Sequence, residues 1–256
     1  MKVATWNVNS VRARLERLTR WLRSEQPDFA CLQELKVSED RFPHLELKEL
    51  GYHCAVHAQK SYNGVAILSR ASPKEVKLGF DDGVDDPQAR IVCAKFDELD
   101  VMSLYVPNGS HVDAPAFEYK LAWLARLRRF LTRRFSPSAR LLVCGDFNIA
   151  PDTRDVARPE QWDHSVLCAP QVRDEFAQLQ RWGLVDTLRK HHAEPGLFSW
   201  WDYRMLGFAK NNGLRIDHIL ATPPAAQHCS KAWIDRDQRK GKRPSDHAPV
   251  WAEFDL

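Results

Sequence analysis

The chain has 256 residues, 44% of them hydrophobic and 28% charged, with a net charge of only +3. Such a chain is long enough to bury a core without disulfide staples, and its composition excludes wholesale disorder. No uninterrupted apolar run approaches the ~18 residues of a membrane span, and MKVATWNVNS does not read as a secretory leader.

Short apolar runs alternate with amphipathic segments along the chain. Lys2–Val8 is rich in Val, Thr and Trp and is expected as a strand. Ser10 can then cap a helix whose Val11, Leu15, Leu18, Trp21 and Leu22 share one face, with Pro27 helping to end it. Asp28–Gln33 reads as a second strand, followed by helix or turn to Leu50. Five more strands are expected at Tyr52–His57, Val65–Ser69, Glu75–Phe80, Ile91–Phe96 and Val101–Val106. The turn Tyr62-Asn63-Gly64 and the loop Asp81–Asp86 punctuate them. Asp113 and Pro115 open a long helix with Phe117, Leu121, Leu124 and Leu131 near one stripe. Leu141–Cys144 is a buried-type strand, Asp155–His164 a loop and Val172–Trp182 a helix. Leu214–Ala221, Cys229–Ile234 and Val250–Phe254 are the closing strands. With no linker or repeat, residues 1–256 are expected as one domain of two mixed sheets face to face with helices outside.

Charge and cysteine placement add two expectations. Basic residues gather at 12–23, 126–134 and 236–243, leaving the remainder net acidic, which suits a protein that meets a polyanion and holds acidic chemistry. A solvated arginine face is the plainer reading of the two helical stretches. Cys31, Cys54, Cys93, Cys144, Cys168 and Cys229 form no C-x-x-C pair and read as reduced residues of a cytosolic protein.

Polar groups recur where the apolar runs end. These are Asn7 and Asn9, Gln33 and Glu34, Tyr105 and Asn108, Asp146 and Asn148, Asp217, and finally Asp246-His247. Burying such groups costs several kcal/mol unless each finds a partner, so ends lying along one rim would have to partner one another. Glu34, Asp146 and Asp246 with Asn7, Asn9 and Asn148 make an all-oxygen set suited to Mg²⁺, and zinc fits it poorly. A phosphodiester cut by water needs the water oriented and charge offset on the phosphoryl and leaving oxygens. An Asp can orient or deprotonate the water, and an imidazole held by a carboxylate can donate to the phosphate.

With these residues in view, the chain resembles the exonuclease III-type apurinic/apyrimidinic (AP) endonucleases of the endonuclease/exonuclease/phosphatase superfamily. The likeness runs from Trp6-Asn7-Val8-Asn9 through Leu32-Gln33-Glu34-Leu35-Lys36, Tyr62-Asn63-Gly64, Tyr105-Val106-Pro107-Asn108 and Gly145-Asp146-Phe147-Asn148. It continues through Ser199-Trp200-Trp201-Asp202-Tyr203-Arg204 and Gly213-Leu214-Arg215-Ile216-Asp217 to Pro244-Ser245-Asp246-His247. The resemblance implies a four-layer αββα sandwich and Mg²⁺-dependent incision 5′ to an abasic site in duplex DNA, leaving a 3′-hydroxyl, with Mn²⁺ as a possible substitute. Many members also act at 3′ ends, as exonucleases or by removing blocking groups.

By matching position, the resemblance puts Glu34, Asn7, Asp246 and Asn9 at the metal. Asp146 and Asn148 fall at the attacking water, His247 at the scissile phosphate oriented by Asp217, and Tyr105 and Asn108 at the phosphate. Trp200, Leu214 and Ile216 fall at the wall of the abasic pocket, one of Trp200 and Trp201 being core. Arg204 enters the duplex in some relatives, and Lys36 and Tyr62 match backbone contacts. Asn9 stands where certain relatives have aspartate, and Ser110 and His111 where some insert an arginine. The resemblance implies a monomeric cytoplasmic enzyme, nucleoid-associated in a prokaryote. A mainly 3′→5′ exonuclease or 3′-phosphodiesterase is the alternative. A phosphoesterase for small phosphorylated lipids, or a catalytically dead DNA-binding relative, stands further off.

Overall fold

The computed structural model describes residues 1–162 and 164–255, and among these the backbone forms twelve strands in two sheets. The first seven are β1 (Lys2–Asn7), β2 (Phe29–Gln33), β3 (His53–His57), β4 (Val65–Ser69), β5 (Glu75–Leu78), β6 (Ile91–Phe96) and β7 (Leu99–Tyr105). The rest are β8 (Arg140–Asp146), β9 (Val185–Asp186), β10 (Asp217–Ala221), β11 (Cys229–Ile234) and β12 (Val250–Phe254). The helices are α1 (Leu15–Glu25), α2 (His44–Lys48), α3 (Pro115–Arg134), α4 (Pro159–Trp162), α5 (Pro170–Trp182), α6 (Thr187–His191) and α7 (Pro223–Ala226). One sheet runs β11-β12-β1-β2-β4-β3 and the other β5-β6-β7-β8-β10-β9. Each holds one parallel pair, β1 with β2 and β7 with β8, among antiparallel neighbours.

Alternation within the strands builds the layers. On β8, Leu142 and Cys144 face the other sheet, meeting Val3, Cys31 and Ile67, while Leu141 and Val143 face α3 and α5. A strand buried on both faces therefore reads as a continuous apolar run. On the far side, Leu18, Trp21 and Leu22 of α1 pack on Trp6 and Trp251. The result is the αββα sandwich of two mixed sheets. Among the described residues, no helix is long and apolar enough to cross a membrane.

Several local expectations are corrected. Ser10 does not cap α1, which starts at Leu15 without a side-chain cap. The backbone at Ser10 and Val11 is committed to the carbonyls of Glu34 and Leu35, so the Ser10 hydroxyl closes a preceding turn by accepting from Ala13. The stretch Leu214–Ala221 joins its sheet only at Asp217, because Leu214 bridges to Trp200 and Val156 instead. The expected loop Asp155–His164 contains α4, and residue 163 within it lies outside the described residues.

The three basic stretches divide. Residues 12–23 and 236–243 meet, with Arg17 donating to the carbonyls of Gln238, Lys240 and Lys242. The third lies on α3, on the opposite outer layer. There Arg126 pairs with Asp82 and Asp86, and Arg133 donates to the carbonyls of Phe80 and Asp81. That stretch fastens a loop and is no part of the joined basic surface.

A buried ion network supports the floor of the rim. Asp155, fully buried, accepts from Arg215 Nε at 2.6 Å and also pairs with Arg189, while Arg215 Nη1 reaches Asp186 at 2.8 Å. Burial opposes the charge on Arg215, but the two carboxylates more than offset it and hold its pKa above the usual range. Removing Arg215 takes the guanidinium from Asp186 and leaves buried Asp155 with Arg189 alone. Arg215→Ala is therefore expected to cost about 3–5 kcal/mol of unfolding free energy, read by urea titration at neutral pH.

Candidate active site

Strand direction explains why distant residues converge. Asn7 and Gln33 are register partners at the carboxyl ends of parallel β1 and β2, as Tyr105 and Asp146 are at the ends of β7 and β8. β10 runs antiparallel to β8, so its first residue, Asp217, faces Asp146. β12 runs antiparallel to β1, so Asp246 and His247, just before it, reach the same rim.

There the side chains partner one another. Asn7 Nδ2 donates to Glu34 Oε1 at 2.8 Å and to Asp146 Oδ2 at 2.9 Å. Tyr105 donates its hydroxyl hydrogen to Glu34 Oε1 at 2.9 Å. His247 Nδ1 bonds Asp217 Oδ2 at 2.8 Å, and its Nε2 lies 3.8 Å from Asp146 Oδ2. Asp217 also accepts from the Ser199 hydroxyl at 2.6 Å. Asn148 donates its backbone N–H to Asp146 Oδ1 and its amide to the Val106 carbonyl, and accepts from Asn108 Nδ2 at 3.1 Å.

Burial and mutual charge set the protonation states. Burial disfavours the imidazolium of His247, but Asp217, Asp146 and Asp246 outweigh it and raise its pKa to about 10. Asp146 is pushed upward, first by burial and then by the charge of Asp217, with His247 and the Asn7 amide opposing. Burial would raise Glu34 as well, but Lys36, Asn7 and His247 together hold it below the usual carboxylate range. Burial next to Glu34 and Asp146 pushes the Tyr105 phenol upward, so it stays a donor. The site thus sets a buried carboxylate with a raised pKa beside an imidazole whose charged form is favoured.

Several of these residues occupy strained backbone. Asn9, Glu34, Lys36 and Asn148 have φ between 45° and 53°, the left-handed region where the Cβ of an L-residue crowds the backbone. The Glu34 turn is held by Leu35 N–H to Gly64 O and by Ser10 N–H to Glu34 O. Gly64, at φ +88°, is required there because a Cβ would lie 2.9 Å from Leu35 Cβ.

Ligand atoms of Glu34, Asp146 and His247 lie within 4.8 Å of one another, a group able to hold a metal ion. The carboxylate oxygens suit a hard cation, whereas a charged His247 offers no lone pair. The Lys36 ammonium already lies 2.6 Å from Glu34 Oε2 and 2.7 Å from Asn9 Oδ1, so these oxygens do accept a positive charge. Asn7 and Asn9, expected at the metal, use their amides to order carboxylates. Asp246 is held by Asn9 and by Trp200 Nε1 at 3.1 Å.

The family model for the "Endonuclease/Exonuclease/phosphatase family" matches residues 4–247. The chain belongs to that family. Within it, the chain is a nuclease of the exonuclease III type, 38% identical to exodeoxyribonuclease III of Haemophilus influenzae over 99% of this chain and all of that one. An AP endonuclease structure from Archaeoglobus fulgidus matches with TM-score 0.97 at 38% identity, covering both chains completely. NExo, a 3′–5′ exonuclease from Neisseria meningitidis, matches with TM-score 0.96 at 42% identity, also over both whole chains. A Neisseria NExo structure described as a 3′ phosphatase, bound to a product DNA hairpin, matches equally well.

Around this nuclease centre the other expected residues separate. Trp201 is the core member of its pair, and Trp200, half-buried, stands edge-on to Trp162 at 5.7 Å. Leu214 and Ile216 are buried in the layer beneath Trp200. Arg204 is exposed and paired with Asp202, and Tyr62 is exposed on its turn. Lys36 joins the acidic cluster. Sequence reasoning missed Ser199, which fixes Asp217, and Ser245, which donates to Asn7 O and accepts from His247 N–H. It also missed Arg14, which ties Asn9 O, Tyr203 and Pro244 together.

Because the folded pKa of His247 exceeds the ordinary imidazole value of ~6.5, its pair with Asp217 contributes fully below that value. The contribution is lost as pH rises through about 10. NMR titration should find His247 still charged at pH 8, and Asp217→Asn should shift its titration downward by at least one unit. A His247 that is neutral at pH 8 in the wild type would contradict this electrostatic account.

Proposed function

We propose that this chain is a Mg²⁺-dependent DNA-repair nuclease that hydrolyses the phosphodiester 5′ to an abasic site in duplex DNA, leaving a 3′-hydroxyl. The observation that carries the reading is His247, held as a cation by Asp217 and set 3.8 Å from the buried carboxylate of Asp146. A phosphate placed against His247 would have its charge offset by the imidazolium. Asp146, pushed toward neutrality by burial, would accept a proton from the attacking water. Asn148 holds Asp146 through its N–H and orders Asn108, which with Tyr105 would contact the phosphate.

Glu34 and Asp146 would hold Mg²⁺, or Mn²⁺ in its place, with Asn7 bridging the two carboxylates and Asp246 and Asn9 at the margin. When bound, the ion offsets charge on the phosphoryl and leaving oxygens. Trp200, over Leu214 and Ile216, would receive the extruded sugar, which lacks a stacked base to unstack. Arg204, Lys36 and Tyr62 would contact the duplex. Arg14, Arg17, Arg20, Lys240, Lys242 and Arg243 line a groove of about 410 Å³ that Arg14 links to the rim, and this supports a polyanionic substrate. The reading takes residues 1–256 as one catalytic domain, a monomer acting in the cytoplasm and nucleoid-associated in a prokaryote.

A second reading, predominantly a 3′→5′ exonuclease or 3′-phosphodiesterase, is favoured by the likeness to NExo and by Ser110 and His111, exposed where an arginine would grip damage. A duplex with one abasic-site analogue, beside an undamaged recessed duplex, separates the two in Mg²⁺ and in EDTA. A single Mg²⁺-dependent cut at the lesion is expected, and a ladder from the 3′ end without that cut would favour the second reading. Cleavage of neither would point to a non-DNA phosphoester or, with abasic binding retained, to a dead site. His247→Asn should lower kcat at least 100-fold with duplex binding largely kept, and Glu34→Gln should raise the Mg²⁺ needed for half-maximal rate. Duplex affinity should fall steeply between 50 and 200 mM salt, about tenfold or more, through counterion release.

A further inference from the structure

Lys120 lies on α3, on the stripe shared by Phe117, Leu124, Leu127 and Leu131, yet none of its surface is exposed. Its ammonium donates to three main-chain carbonyls, those of Asn148 at 2.6 Å, Val166 at 2.9 Å and Asn108 at 3.1 Å. Three N–H bonds saturate the ammonium. Each carbonyl belongs to a different loop at the rim. Asn108 and Asn148 are the amide pair beside Asp146, and Val166 follows α4, whose Trp162 stands against Trp200.

We infer that Lys120 is a positioning residue, drawing these three loops to one point from behind the site and so setting the Asn108–Asn148 pair and the Trp162–Trp200 wall. The inference rests on the nuclease reading above. A buried ammonium is an expensive way to fill space, since desolvation disfavours its charge. Burial does lower its pKa, to about 7, with the charge of Asp146 opposing. An apolar side chain of equal length would occupy the volume without that cost, but it could not converge three carbonyls. The Asn108 loop wraps closely on the lysine stem, for a Cβ on Gly109 (φ +101°) would lie 3.2 Å from Lys120 Cδ. Asn148, at φ 50°, turns its carbonyl toward the ammonium and its N–H toward Asp146. One cation thus holds the backbone from which the water-orienting and phosphate-contacting amides project.

The test compares wild type with Lys120→Met, which keeps length and removes charge, and Lys120→Arg, which keeps charge on a planar head. Single-turnover rate and duplex affinity are measured on an abasic duplex in saturating Mg²⁺, together with melting temperature and hydrolysis of bis(p-nitrophenyl) phosphate. Lys120→Met is expected to lose at least 30-fold in rate, with duplex affinity within threefold and an unchanged or higher melting temperature. Lys120→Arg should recover part of that loss. A Lys120→Met rate within threefold of wild type overturns the inference, as does a rate loss matched by lost affinity or lowered melting temperature. Should Lys120→Met fail to fold, a fivefold or greater rate loss in Lys120→Arg with affinity kept supports it, and an unchanged rate overturns it. Wild-type protein that cuts no DNA would instead defeat the nuclease reading, leaving bis(p-nitrophenyl) phosphate to decide the role of Lys120.

Discussion

At the rim, the two sheets are tied by the charged 2.8 Å contact between His247, just before β12 of one sheet, and Asp217, which begins a strand of the other, beside the Asn7–Asp146 and Tyr105–Glu34 bonds. Behind it, apart from the Gln33–Ser103 contact, the sheets meet through apolar side chains, which hold them together without dictating a direction. The carboxylate–imidazole pair supplies direction. It fixes the ring plane, and through it the distance from Nε2 to Asp146. Ser199 fixes Asp217 in turn, and the Trp6 indole donates to the His247 carbonyl at 3.1 Å, so the pair is braced from both sides.

A second constraint follows from concentrating acids in a buried place. Glu34, Asp146, Asp217 and Asp246 would repel one another if all were ionised without compensation. The fold answers with His247, Lys36 and the Asn7 amide, and lets Asp146 move toward its neutral form. Such an arrangement has spare capacity for positive charge, which is why a divalent cation suits it. The strained turns at Asn9, Glu34 and Asn148 belong to the same design, since regular strand geometry would carry these side chains past the rim.

Much of this was legible because it is written at strand ends. Polar residues closing apolar runs mark Asn7, Glu34, Tyr105, Asp146, Asp217 and His247 without help from their partners. What escaped reading depends on contacts distant in sequence. Ser199 has no local signature, its role coming from Asp217 eighteen residues on. The meeting of residues 12–23 with 236–243 requires β12 to lie beside β1. Lys120 did leave a mark, a lone cation three residues after Phe117 and four before Leu124, but a lysine on an apolar stripe more often extends its head to solvent. The Leu214 segment misled because its apolar residues pair with Trp200 and Val156 rather than with a sheet neighbour.

The route of the chain through the two sheets gives the site a temporal order during synthesis. β1 and β2 bring Asn7 and Glu34 first, and the second sheet then brings Tyr105, Asp146 and Asp217. Only with β11 and β12 does the chain return to the first sheet, and His247 stands immediately before β12. A nascent chain that has emerged as far as β10 therefore carries Glu34, with Lys36 on it, Asp146 and Asp217, but neither Asp246 nor the His247 that faces Asp217, and it lacks the β12 neighbour of β1. The imidazole that pairs with Asp217 is thus the last of these groups to arrive, carried in with the returning strand.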